Sequence, residues 1–166
     1  MATIIKKNNF SIIVFVLIFF TSCDSKSVFN QYKTITNASW EANKKVAFQF
    51  TIQDTITKRN LFINLRNNKN YQYSNLYLIT ELNFPIGTKI VDTLQYEMAD
   101  VNGKFLGSGF SDIKENKLFY KEAKAFPVSG EYVFKVSHAM RKNGQVEGVK
   151  FLDGVTEVGF SIEKLN

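Results

Sequence analysis

The sequence predicts an all-β protein, an antiparallel β-sandwich of about eight strands, behind a short N-terminal leader. Three observations carry that expectation. After position 43 the apolar residues recur with a period of two over most of the chain. Turn signals such as Asn102-Gly103, Pro127 to Gly130 and Asn143-Gly144 fall at short intervals between these runs. No long stretch has the apolar spacing of an amphipathic helix. Two sheets that each bury one apolar face satisfy all three, and alternation does not set strand order, so immunoglobulin-like and jelly-roll arrangements both remain open.

The leader comes first. Lys6 and Lys7 precede a continuous apolar run from Ile12 to Phe20. As a helix that run would extend about 14 Å, against the roughly 30 Å of a bilayer's hydrocarbon core. A short apolar run behind a positive N-terminus is the pattern of an export signal. Small residues then lead to the single cysteine in Phe20-Thr21-Ser22-Cys23. This segment resembles a bacterial lipobox, whose thiol receives a diacylglycerol and whose leader is cut just before the cysteine. Such motifs usually begin with Leu, where this chain has Phe20. Acyl chains contribute about 0.8 kcal/mol per buried CH₂, and two or more hold a protein stably on a membrane. The expected organisation is a lipoprotein signal peptide over 1–22, a lipidated N-terminus and polar tether over 23–43, and the sandwich over 44–166. Cleavage would leave 166 − 22 = 144 residues, still one domain.

The strands follow in order. Val46, Phe48, Phe50 and Ile52 alternate with polar neighbours, as do Leu61, Ile63 and Leu65. Leu76 to Phe84 alternates and stops at Pro85 and Gly87; Ile90 to Met98 runs on to the Asn102-Gly103 turn. A further strand is expected over 104–110, another over 118–126, then Tyr132 to Val136 after the Gly130 turn, and a closing one from Val155 or Val158 to Ile162. Pro127 to Tyr132 resembles the start of a late sandwich strand, where a tyrosine soon after the turn pins the corner. Most of the 16 Phe and 7 Tyr are then expected between the sheets.

Composition narrows the function. The chain has 21 Lys+Arg and 15 Asp+Glu, a formal charge of +6. Removing Lys6 and Lys7 leaves 19 against 15, or +4. The arginines are only Arg59, Arg66 and Arg141 and the charge is dispersed, unlike the clustered basic patch of a nucleic-acid binder. One Cys excludes an internal disulfide and a multi-cysteine zinc site, and one His excludes a His-rich cage. Ser108, in Gly107-Ser108-Gly109, lacks the nucleophile-elbow pattern. His138 shares the inward parity of the strand it ends and is expected to be structural. Calcium loops and phosphate-cradling glycine loops are absent from the sequence. No catalytic residue, metal site or cofactor is therefore expected, and the protein is not expected to be an enzyme.

Binding is the remaining class. Ser111, Asp112, Lys114, Glu115 and Lys117 form a charged segment, and Arg141 lies in a polar loop before Gly144; these are the candidate protein contacts. The alternative is a glycan-binding envelope lipoprotein that stacks exposed rings on sugar faces. Tyr71, Tyr73 and Tyr120 are its candidates, being the tyrosines least explained by core parity.

Several segments are also similar to one known family. They include Cys23-Asp24-Ser25, Leu61-Phe62-Ile63-Asn64-Leu65-Arg66-Asn67, Asn83-Phe84-Pro85 and Asp92-Thr93-Leu94-Gln95-Tyr96-Glu97-Met98-Ala99-Asp100. The longest is Leu106 to Leu118, followed by Phe126-Pro127, Ser129-Gly130-Glu131-Tyr132 and His138-Ala139-Met140-Arg141. In these the chain resembles the GldH family of gliding-motility lipoproteins of the Bacteroidetes. The resemblance implies a cell-envelope lipoprotein needed for gliding, working with a motility apparatus linked to type IX secretion. It transfers one site, the lipidated Cys23, and no catalytic residue. Expected partners are the membrane, through the lipid anchor, and other gliding-motility envelope proteins, with no nucleic acid and no small-molecule substrate. Asp24-Ser25-Lys26-Ser27 lacks an acidic surface-export run, which favours a periplasm-facing position, at the outer membrane ahead of the inner.

Overall fold

The computed structural model describes residues 26–109 and 111–165. The leader and Cys23 lie outside the described residues. Among those described, ten strands form three sheets. They are β1 (Ser27–Thr34), β2 (Ser39–Glu41), β3 (Val46–Ile52), β4 (Arg59–Asn67), β5 (Asn75–Asn83), β6 (Lys89–Glu97), β7 (Lys114–Lys124), β8 (Gly130–His138), β9 (Phe151–Asp153) and β10 (Val155–Lys164). The first sheet runs β1-β10-β4-β7, the second β3-β8-β5-β6, and β2 pairs with β9 alone. Every pairing is antiparallel.

The pairings are nested. β5 pairs with β6, β4 with β7, β3 with β8 and β1 with β10, as in one long hairpin wound on itself. That is the jelly-roll arrangement, so the second of the two orders left open by alternation is the one adopted.

The sheets close through aromatic side chains on their inner faces. Phe160 of β10 stacks on Phe134 of β8 at 4.1 Å between centroids and 17° between planes. Phe48 and Phe50 of β3 reach the same ring at 6.1 and 5.6 Å. Phe126 and Tyr132 continue the cluster at 5.0 Å, edge to face. The phenylalanines thus fill the space between sheets as expected, each burying a large apolar area. The expected corner is present: the Tyr132 hydroxyl donates to the Val128 carbonyl at 2.7 Å, and its ring is fully buried.

Three expectations need correction, and one strand had no counterpart among them. The segment read as a tether over 23–43 is folded from Ser27 onward, since β1 pairs along β10 and β2 along β9. Its pattern escapes notice because β1 half-buries only Phe29, which packs on Phe50 at 5.4 Å, and Tyr32 on the opposite face, while its remaining side chains are exposed. The strand expected over 104–110 does not form. That segment makes isolated bridges at Phe105 and Ser108 and folds back on β7. β7 begins at Lys114 instead of 118, because Asn116, Leu118 and Tyr120 share the inward face and place Glu115 and Lys117 outward. Lastly β9, three residues long, has too short a pattern to be read.

Trp40 and His138 lock the short sheet to the core. The His138 Nε2–H donates to the Trp40 carbonyl at 2.9 Å, and its Nδ1 faces the Met140 amide at 3.4 Å. These partners define a neutral ring with the proton on Nε2. Burial lowers the His138 pKa below its ordinary value, since charge is penalised in a dry site.

Two outcomes follow from the core. Tyr132→Phe keeps the ring and orphans the Val128 carbonyl, so urea unfolding should show a loss of about 1–2 kcal/mol with an unchanged slope. The unfolded chain protonates its histidine near pH 6.5 while the folded one resists. Stability is therefore full above that pH and declines as pH falls toward the depressed folded value. Urea midpoints between pH 7.5 and 5 should show this decline, and His138→Gln should flatten it.

Candidate protein-contact surface

The winding of the chain sorts its loops into two ends. The N-terminus of β1, the C-terminus of β10 and loops 53–58, 84–88 and 125–129 share one end. Loops 35–45, 68–74, 98–113 and 139–150 share the other. The nine residues of β4 separate the two ends by about 30 Å at 3.3 Å per residue.

The candidate contacts lie at the second end and on the sheet just below it. Ser111 and Asp112 are exposed on the tip of loop 98–113, with Asp112 Oδ2 3.9 Å from Lys69 Nζ. The tip is braced by paired Ser108 and Glu115 backbones at 2.8 and 2.9 Å. Gly107 lies so close to β7 that a Cβ there would sit 2.7 Å from the Asn116 side chain, which explains a glycine at that place. Lys114 turns back and donates to the Gly109 carbonyl. Arg141 is exposed in loop 139–150, whose backbone bridges at Arg141 and Gly148. Loop 68–74 stands between the two, touching Asp112 through Lys69 and bordering a groove of about 330 Å³ with Lys142 on its far wall. Ser111, Asp112 and Arg141 thus belong to one surface.

Glu115 and Lys117 do not join it. Both point along the outer face of the first sheet, where they are already engaged. Glu115 accepts from the Tyr32 hydroxyl at 2.7 Å and from Arg66 at 3.0 Å, and Arg66 reaches Glu157 at 2.6 Å. The Tyr32 hydrogen bond, then the Arg66 pair, hold the Glu115 carboxyl below its ordinary range. The Arg66 guanidinium lies 4.4 Å over the Tyr32 ring. That ring lies flat against Gly159, where a Cβ would come within 2.8 Å of it. Lys117 pairs with Glu163 at 2.6 Å above the Phe62 ring. These residues are cross-strand ties, and removing them would be felt in stability before binding.

A second feature of this end was not anticipated. Lys33, Trp40, Lys44, Lys45, Val46 and Phe151 line an open groove of about 670 Å³, and Phe151, half exposed, is shared with the smaller groove. Lys45 pairs with Glu81, while Lys33 and Lys44 stay exposed on the rim. Beneath it Asn37 and Ala38 both adopt left-handed backbone, at φ 56° and 50°, held by the Gly154 amide on the Ala38 carbonyl at 2.8 Å. In the sequence, the Lys44-Lys45 pair and an isolated Phe151 beside Lys150 were the available signals.

His138 is 3% exposed and directs Nε2 to the Trp40 carbonyl. Among the described residues no group of three His, Cys, Asp or Glu side chains is placed to hold a metal ion, and no helix is long and apolar enough to cross a membrane. The rings proposed for sugar stacking are otherwise occupied. Tyr71 and Tyr120 are buried, donating to the Asn75 carbonyl and the Asp92 carboxylate at 2.7 and 2.9 Å. Tyr73 meets Tyr71 edge-on at 71°, which is no coplanar platform.

Known proteins resemble this chain along its length. The family model for the GldH lipoprotein matches residues 27–162, which spans β1 to the end of the β10 core. A "Gliding motility lipoprotein GldH homolog" of Christiangramia forsetii is 49% identical over 153 residues, 92% of this chain and 93% of that one. The "Gliding motility lipoprotein GldH" of Flavobacterium johnsoniae is 43% identical over 160 residues, 96% and 98% of the two chains. Among solved structures, the VP2 subviral particle of infectious bursal disease virus covers 86% of this chain at 17% identity and a TM-score of 0.36, and this chain spans 34% of that one. The matched family and both bacterial relatives agree in name with the resemblance drawn from the sequence, and the chain belongs to the GldH lipoprotein family.

Proposed function

We propose that this protein is a lipid-anchored, non-catalytic component of the gliding machinery, held to the membrane by Cys23. Its far end is offered to other envelope proteins of the motility and type IX secretion apparatus. The observation that carries this reading is the placement of the termini. The chain enters the sandwich at Ser27, at one end, and the exposed loops with Asp112, Arg141 and the grooves at Phe151 stand at the other. An anchored domain of this build presents its contact loops away from the lipid, about 30 Å from the point of attachment. Exposed cations around a half-exposed aromatic ring suit a partner segment that is acidic with one apolar anchor. The position is periplasm-facing, at the outer membrane ahead of the inner.

Replacing Cys23 with Ala should move the protein out of the membrane fraction and stop colony spreading; normal spreading by an unanchored chain would remove the anchor from the function. Asp112→Lys combined with Arg141→Glu should abolish spreading and crosslinking to envelope proteins. Its unfolding free energy should change by no more than about 0.5 kcal/mol, because both side chains are exposed. Glu115→Ala, by contrast, should lower stability by about 1 kcal/mol.

A further inference from the structure

Both ends of the sandwich expose apolar loop tips, Val101 and Val146 at the far one. At the end that carries the N-terminus two tips are apolar and largely in water: Ile56 is 87% exposed and Ile86 64%. Leu165, 42% exposed, follows β10 at the same end. A single exposed apolar side chain is ordinary. What sets Ile56 and Ile86 apart from the far-end tips is their place, on the side where the chain enters.

Neither tip is a loose loop. The Asp54 carboxylate accepts from the Ile56 and Thr57 amides at 2.9 and 3.0 Å. Arg59, buried at the start of β4, donates to the Asp54 and Thr57 carbonyls at 3.1 and 3.0 Å and to the Asp54 carboxylate at 3.1 Å. Ile56 is thereby held outward on a turn closed beneath it. Ile86 rides a hairpin closed by the Gly87 amide on the Phe84 carbonyl at 3.0 Å and the Phe84 amide on the Thr88 carbonyl at 2.9 Å. Its neighbour Pro85 packs against Gly130 of β8. Exposed lysines Lys58, Lys89 and Lys164 stand beside these tips. Apolar tips ringed by cations match a membrane interface, where the former enter the acyl boundary and the latter meet anionic headgroups.

The length of chain beyond the described residues sets the distance. Cys23 lies three residues before Lys26, a reach of at most about 11 Å at 3.6 Å per residue. Lys26 itself is tied to β10, its carbonyl accepting from the Lys164 amide at 2.9 Å. An anchor at Cys23 therefore keeps this end within reach of the lipid surface.

We propose that the N-terminal end of the sandwich docks on an anionic phospholipid surface, with Ile56 and Ile86 inserted at the acyl boundary and the lysines against the headgroups. The domain then stands upright, its strands along the membrane normal. This rests on anchoring at Cys23.

The full chain, purified from membranes and reconstituted into vesicles of phosphatidylethanolamine with phosphatidylglycerol, tests it. Cys23 is the single native cysteine, so Ile56→Cys, Ile86→Cys and, at the far end, Val101→Cys each create one thiol for a fluorescent maleimide. Spin-labelled lipid should quench the probes at 56 and 86 several-fold more than the probe at 101, and iodide should do the reverse. Omitting phosphatidylglycerol should shrink that contrast at least about twofold. Equal quenching at all three positions, or a contrast indifferent to anionic lipid, overturns the docking while anchoring stands. A wild-type chain that itself takes the maleimide overturns anchoring at Cys23, and the docking with it, through a signal independent of quenching.

Discussion

Closure of the two sheets over Phe160 governs the rest of the molecule. Phe160 is donated by β10, the last strand, and stacks on Phe134 of β8 while touching Phe48 and Phe50 of β3. The second sheet is thereby clamped to a strand that exists as a strand only because β1 and β4 pair on either side of it. A chain wound in this nested way cannot close its outermost layer until the inner hairpins are in place. Long-range pairs of this kind, such as β1 with β10, carry a large entropy cost of closure. The aromatic cluster offsets that cost by removing several large rings from water together.

From that closure follows the division of the loops into two ends. The first sheet is also tied on its outer face, where Glu115 of β7 accepts from Tyr32 of β1 and from Arg66 of β4, and Arg66 reaches Glu157 of β10. The charges there are consumed in holding the sheet. Charges at the loop tips, such as Arg141, make no comparable cross-strand tie. The same residue types thus play two roles within one chain, set by whether a partner strand lies opposite.

The legible parts of the fold were those with strong alternation. Val46 to Ile52 coincides with β3, and the tyrosine corner at Tyr132 was readable because ring, turn and spacing occur together. β1 was not legible, since a strand that half-buries only Phe29 and Tyr32 reads as a polar tether until its partner at the opposite end of the chain is known. The segment 104–110 misled for the converse reason: the Asn102-Gly103 turn before it is real, but the chain beyond makes only single bridges at Phe105 and Ser108. At the candidate surface, exposure of Asp112 and Arg141 followed from local polarity, whereas the engagement of Glu115 by Tyr32, 83 positions away in sequence, is a product of register. The groove at Phe151 was hidden likewise, because β2 and β9 come together only through tertiary packing.

The pairing of β1 with β10 has a mechanical reading. A load applied between Ser27 and the far loops would run parallel to the strands. Interstrand hydrogen bonds lie perpendicular to that direction, so the ladder from Ser27–Glu163 to Thr34–Glu157 is drawn in shear. Its bonds share the pull simultaneously, where a strand peeled from its end would surrender them singly. A domain pulled between its two ends is thus fastened along its most resistant axis.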